Sequence, residues 1–301
     1  MKIYLSWSPT PPDPSYWNWL PLDGIMISIA TLKKKGLLDK TILIGLHDYL
    51  GFRGEIFLDS GSYEEAICKK KLTPNTPREL LSIAEWLRVD KVAHLDTPFI
   101  GERLKLPEKD KWRLLHQNIL NARITNEASK QFKPKVEVIY VIQGWSDESL
   151  AYCAEELASL DVKYYALGSL FGLRPNEIEA RVKLVREIIG ESPKLHLFAV
   201  SSPNVIKRVG HLVDSVDSST ASVSGAMKEL FLPSGRKHVD KIAEENLKCD
   251  CPVCSKHKGA IIMMGKQGTR SHYDRLRKIH NAYHLLKMIR EASPTNIKEE
   301  P

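Results

Sequence analysis

Short apolar runs recur along the chain, and most are followed by a longer stretch whose apolar positions repeat every three or four residues. Eight such runs stand out: "KIYLSW", "TILIGL", "EIFLD", "KVAHLD", "VEVIYVIQ", "KYYALG", "LHLFAV" and "HLVDSVD". Helical spacing is clearest in "PRELLSIAEWLRV", "EKDKWRLLHQNILNARITNEASKQF", "SDESLAYCAEELASL" and "RPNEIEARVKLVREII". "SDESL" offers a serine N-cap with a glutamate to complete a capping box. Strands that alternate with helices must pair in parallel, because each crossover returns the chain to the same end of the sheet. Eight strands so arranged predict a TIM (β/α)8 barrel rather than an open doubly wound sheet. The order is uneven near the start, where "TILIGL" and "EIFLD" are separated by a stretch read as loop. "SPTPPDPSYWNW" also reads as loop.

The strand ends carry more information than the strand count. They read "FLDSGSY", "HLDTP", "VIQGW", "ALGSL", "FAVSSP" and "SVDSST". In a βα barrel the C-terminal strand ends converge on the face that holds active sites. Three aspartates, a glutamine and several small residues are thus expected in one mouth. Each alone could simply cap the next helix. Their recurrence at matching positions is what points to a site.

Cysteine supplies a second signal. The chain has five cysteines, and "KCDCPVC" holds three of them, Cys249, Cys251 and Cys254. Cys-x-Cys-x2-Cys followed by a histidine is a Cys3His spacing, suited to a closed, tetrahedral, structural Zn2+. His280 is the expected fourth ligand, with His272 and His284 as competitors. Cys68 and Cys153 read as ordinary buried small residues. The chain is thereby divided into a barrel over 1–240, a zinc-binding segment and C-terminal helix over 241–292, and a flexible tail over 293–301.

Charge and composition narrow the class further. A net charge of +7 with pI near 9.0 suits a polyanionic partner such as nucleic acid. Basic residues gather at 68–72 and along 255–278, where they equally form solvated faces. No run of apolar residues is long enough for a membrane span, and the first residues lack the basic and apolar regions of a signal peptide. A reducing, cytoplasmic setting is expected, in which clustered cysteines mean metal before disulfides.

With these motifs assembled, the chain resembles the tRNA-guanine transglycosylase superfamily from about residue 55 to 292. "CDCPVC…HN" is similar to its zinc subdomain, and the strand-end motifs fall in the family's order. "VIQGW", with Trp145 where tRNA enzymes carry glycine, and the serine-rich "DSSTAS" look most like the DpdA-type branch, which inserts 7-deazaguanines into DNA. The Pro-Thr-Arg run of bacterial tRNA enzymes is missing there, and the stretch after the zinc helix is expected to leave no room for archaeal RNA-binding modules.

The resemblance implies exchange of guanine for a free 7-deazaguanine such as preQ0 in DNA, with tRNA, or a non-catalytic subunit, as alternatives. It assigns the nucleophile to Asp217, with Asp214 as rival, and the general acid/base to Asp59. Asp96, Gln143, Gly144, Gly168 and the backbone of Ser169 would read the base edge, and Tyr63 and Phe198 would sandwich the ring. Ser169 departs from the family's usual second glycine, and Trp145 either stacks at the opened site or packs under the rim. Superfamily members often dimerise through the zinc region, so a homodimer is a further expectation.

Overall fold

A computed structural model describes the chain except for residues 10–12, 69–70, 133–134, 244–246, 248, 264–269 and 294–301. Eight strands form a closed parallel barrel in chain order: β1 (Lys2–Ser6), β2 (Gly24–Ser28), β3 (Glu55–Asp59), β4 (Lys91–Ala93), β5 (Glu137–Ile142), β6 (Tyr164–Leu167), β7 (Lys194–Leu197) and β8 (Ser215–Ser218). β8 closes on β1 with Asp217 opposite Tyr4. Both faces of every strand are covered, which is why the runs read as continuous apolar stretches.

Seven of the eight apolar runs are barrel strands, and "TILIGL" is not. It lies in the helix Leu38–Ile44 and the start of the helix Leu46–Leu50. Leu38, Thr41 and Ile42 face the protein, Thr41 fully buried with its hydroxyl donating to the Leu37 carbonyl at 2.9 Å, while Leu43 is 81% exposed. That three-and-four spacing is helical, and β-branched content disguised it. The missing strand is β2, "GIMIS", followed by three short helices, Ile29–Lys34, Leu38–Ile44 and Leu46–Leu50, the last of which falls in the stretch read as loop.

Four long helices around the barrel span Pro77–Leu87, Glu108–Phe132, Asp147–Ala158 and Pro175–Ile189, in the segments whose period predicts them. The capping box at Ser146 is closed by Ser149, not by a glutamate. Ser149 N–H donates to Ser146 Oγ at 3.2 Å, and Ser146 N–H to Ser149 Oγ at 2.9 Å.

After β8 and the helix Thr220–Ala226 the chain forms a hairpin, β9 (Glu229–Leu232) and β10 (Gly235–His238), then the cysteine segment, then the helix Arg270–Ala292. This last helix lies against Thr220–Ala226 at Gly225, where a Cβ would fall 2.6 Å from Lys278 Cγ and 2.8 Å from its backbone nitrogen. Arg277, fully buried, donates to the carbonyls of Gly225 at 3.2 Å, Ile261 at 3.1 Å and Met263 at 2.8 Å. Apolar residues of the cysteine segment and this helix belong to the same continuous core as the helix-facing side of the barrel. The flexible tail expected over 293–301 lies outside the described residues from 294 onward. No helix among the described residues is long and apolar enough to cross a membrane.

Candidate active site

The C-terminal strand ends open into a cavity of about 750 Å³. Asp59 ends β3, Asp96 follows β4, Gln143 follows β5, Gly168 and Ser169 follow β6, Phe198 follows β7 and Asp217 lies on β8. All of them, and Tyr63, line this one cavity.

Asp217 is held on one side. Its Oδ1 accepts the Ala199 N–H at 2.8 Å and lies 3.3 Å from His196 Nε2, while Oδ2 has Ser6 Oγ at 3.5 Å. The side chain is almost fully buried, so the carboxylate is fixed by protein donors rather than water. Asp214 is elsewhere. It precedes β8 at the opposite end of the barrel, accepting from Leu195 N–H at 2.8 Å and Arg186 Nη2 at 3.3 Å. It ties strands together there and does not line the cavity, which removes it as a rival to Asp217.

Asp96 and Gln143 form a wired edge. Asp96 Oδ1 accepts from Ser60 Oγ at 2.7 Å and Oδ2 from Gln143 Nε2 at 2.6 Å. Gln143 Oε1 accepts from Ser169 Oγ at 2.5 Å, and that hydroxyl accepts the Phe99 N–H at 2.8 Å. The amide rests on Gly168, where a Cβ would come within 2.5 Å of both its nitrogen and its oxygen. Ser169 has φ of 54°, the left-handed region that favours glycine. Gly144 does not line the cavity, since the helix Asp147–Ala158 presses against it. From behind, Arg181 donates to the carbonyls of Gly144 at 3.1 Å, Trp145 at 3.2 Å and Ser169 at 3.4 Å.

Asp59 differs from its neighbours. Burial, then the nearby Glu64 and Asp96 carboxylates, raise its pKa well above the usual carboxylate range, against the Gly61 N–H, which donates at 3.1 Å, and the Ser28 hydroxyl beside it. A carboxyl so placed keeps its proton where others lose theirs. It can donate to a base and then accept from one.

On the wall, Phe198 leans on Phe57 with centroids 5.8 Å apart, and Tyr63 meets Phe171 edge-on at 6.4 Å. Phe171 is 67% exposed at the rim. Lys34 and Lys35 line the opening. Lys69, Lys70 and residues 264–269 of the two basic runs lie outside the described residues. Trp145 packs under the rim. It lies 4.7 Å from Phe99 and 5.3 Å from Trp112, under the Lys111 ammonium, with its indole N–H donating to Glu108 at 3.0 Å.

The cysteines and His280 form the one cluster of metal-ligating groups among the described residues, their ligand atoms all within 4.8 Å of one another. Cys249, Cys251 and Cys254 Sγ lie 3.6, 3.4 and 3.4 Å from His280 Nδ1. A tetrahedral zinc with ordinary bond lengths sets sulfur and nitrogen ligands about 3.6 Å apart, so the group fits. His280 Nε2 donates to the Phe231 carbonyl at 3.0 Å, which leaves the Nδ1 lone pair for a metal. His284, one turn on, reaches Cys249 alone at 3.1 Å, and His272 is exposed, so neither is the fourth ligand. The three thiols are tied to one another: hydrogen bonding to the Cys249 sulfur pushes Cys251 up, and hydrogen bonds from Cys251 and Cys254 hold Cys249 down. Cys153 is buried as expected, but Cys68 is exposed.

Residues 25–299 match the family described as queuine tRNA-ribosyltransferase. The chain belongs to that family. It is 25% identical over 264 residues to the tRNA-guanine(15) transglycosylase of Pyrococcus abyssi, covering 85% of this chain and 42% of that protein. The Methanosarcina mazei protein of the same name is 24% identical over 270 residues, covering 87% and 52%. That of Methanopyrus kandleri is 26% identical over 287 residues, covering 92% and 59%. The chain spans about half the length of these curated relatives. Within this family member, His196, Ser60, Arg181, Phe171, Lys34 and Lys35 join the site without having been legible beforehand. His196 sits inside "LHLFAV", whose apolar neighbours read only as a buried strand.

Proposed function

We propose that the protein exchanges a guanine in a nucleic acid for a free 7-deazaguanine base, as a pentosyltransferase acting through Asp217. The observation that carries this reading is the meeting, in one cavity, of a carboxylate anchored by backbone and histidine and a carboxyl that retains its proton. Asp217 forms a bond to the sugar C1′ as the C1′–N9 bond breaks, and the electron pair leaves with the guanine. Asp59 gives its proton to that departing base, then takes the ring N–H proton of the incoming one, whose nitrogen displaces Asp217. Two inversions give net retention. Asp96 accepts from the N1 and amino edge, and Gln143 with the Ser169 backbone N–H reads O6, so adenine would leave both unpaired. Tyr63 and Phe198 hold the ring by stacking.

tRNA is the polymer favoured by the relatives, which are named for a tRNA guanine. The DNA and preQ0 reading rests on Trp145 and the serines after Asp217. Trp145 is committed to Phe99, Trp112 and Glu108, which leaves that cue without a direct contact to offer a polymer. Lys34 and Lys35 are suited to phosphates at the opening. The Cys3His group would hold one structural Zn2+, with no open position for chemistry, and a homodimer through this region completes the proposal.

The reading is tested by denaturing electrophoresis of the protein incubated with unmodified tRNA. A heat-stable protein–RNA adduct should form, and Asp217→Asn should abolish it. An adduct that persists in Asp217→Asn would remove Asp217 as nucleophile.

A further inference from the structure

His196 is fully buried in the barrel, and no step above requires it. Its ring stands edge-on to Phe198 at 4.9 Å, Phe57 at 5.2 Å and Tyr4 at 6.0 Å between centroids, shielded from bulk solvent. Nε2 lies 3.3 Å from Asp217 Oδ1, and Nδ1 lies 2.8 Å from Ser215 Oγ, which is itself 2.8 Å from Tyr164 Oη. These partners fix a direction. An ionised carboxylate can only accept, so Nε2 must carry a proton. In the neutral ring Nδ1 then accepts, Ser215 donates to it, and Tyr164 donates to Ser215. Tyr164 is suited to that end of the chain, because burial pushes it up to about 12 and it remains a phenol.

The consequence falls on the two oxygens of Asp217. Oδ1 accepts two N–H groups, from Ala199 and His196, and its lone pairs are taken. Among the described residues, Oδ2 has only the Ser6 hydroxyl, at 3.5 Å. We infer that His196, set in one tautomer by Ser215 and Tyr164, is the positioning residue that holds Oδ1 of Asp217 and leaves Oδ2 as the atom that attacks the sugar. The inference rests on the transglycosylase reading and adds which oxygen reacts. The Oδ2 lone pair forms the new C1′–O bond, the C1′–N9 pair leaves with guanine, and Oδ1 keeps its two donors throughout.

The test is a single-turnover assay of the protein–tRNA adduct, run beside calorimetric titration with free guanine, on the full chain and its variants. His196→Phe fills the space and removes the donor. Its rate of adduct formation should fall about 100-fold, the size expected for a lost preorganised donor, with guanine affinity within about twofold of the parent. His196→Gln places an N–H close to the Nε2 position and should recover the rate to within about tenfold. Ser215→Ala leaves the ring in place but frees Nδ1, and should slow adduct formation about tenfold at unchanged guanine affinity. Parental rates in His196→Phe or Ser215→Ala overturn the inference, as does a loss of guanine binding equal to the loss of rate, which would mark a purely structural role. A parent protein that binds guanine yet forms no adduct overturns the transglycosylase reading itself, and the inference with it.

Discussion

Two residues of the cavity have costs that can be measured apart from activity. Asp59 has its pKa raised, so the folded state holds its proton at a pH where the unfolded state, near the ordinary 3.9, has released it. Stability on this account falls as pH rises above about 4 and stays lower once the folded group also ionises. Asp59→Asn should therefore melt higher than the parent at pH 7, with the gap closing below pH about 4, while base exchange is lost. Scanning calorimetry across that range checks it; an equal or lower melting temperature at pH 7 would contradict it. Ser169, at φ of 54°, is a second case. Ser169→Gly should relieve about 1 kcal/mol of backbone strain, yet free the Gln143 amide and weaken guanine binding about tenfold. At this scale the sequence was only partly legible. Strand-end polar residues announced Asp59, Asp96, Gln143 and Asp217 through their positions, but His196 hides among apolar neighbours, and nothing in "ALGSL" says that the serine hydroxyl, rather than its backbone alone, wires the site.

Packing decides what the elements do. The cysteine spacing announced a metal group, but three histidines competed for the fourth place. Helical phase resolves them, since His280 alone faces all three sulfurs while His284 lies one turn further along. Removing the metal with a chelator should lower the melting temperature and release the helix Arg270–Ala292 to amide exchange before the barrel strands. Identical exchange with and without chelator would contradict a structural role for the group. Gly225 is a more local test. A methyl there meets both the backbone and the side chain of Lys278, so Gly225→Ala should destabilise by about 1–3 kcal/mol, read from denaturant midpoints. "TILIGL" shows the limit of pattern reading. Its isoleucines suggest a strand, and the burial of Thr41 against the exposure of Leu43 belongs to a helix that only tertiary contact reveals.

Across the whole molecule, the barrel carries chemistry at one end and charge at the other. At the N-terminal end Glu55 bonds Lys2 at 2.6 Å, Tyr4 at 2.5 Å and Lys91 at 3.1 Å. Burial alone would raise its pKa, but these partners hold it down to about 2 from 4.5. Stability from this cluster is present above pH 4.5 and is lost as pH falls towards 2. Glu55→Gln should be less stable at pH 7 by about 1 kcal/mol, allowing for solvent screening, and should lose less than the parent on acidification. The barrel itself was legible because alternating strand and helix leave few ways to close a core; the polymer was not, because the lysines suited to phosphates, in the run Lys33-Lys34-Lys35, carry nothing that separates tRNA from DNA. Base exchange is read from the entry of labelled guanine into unmodified tRNA and, in parallel, into duplex DNA. Label should enter tRNA with the parent protein and not with Asp217→Asn. Label in DNA alone would move the same chemistry to the other polymer, and no label in either, from folded protein with its metal bound, would rule out base exchange.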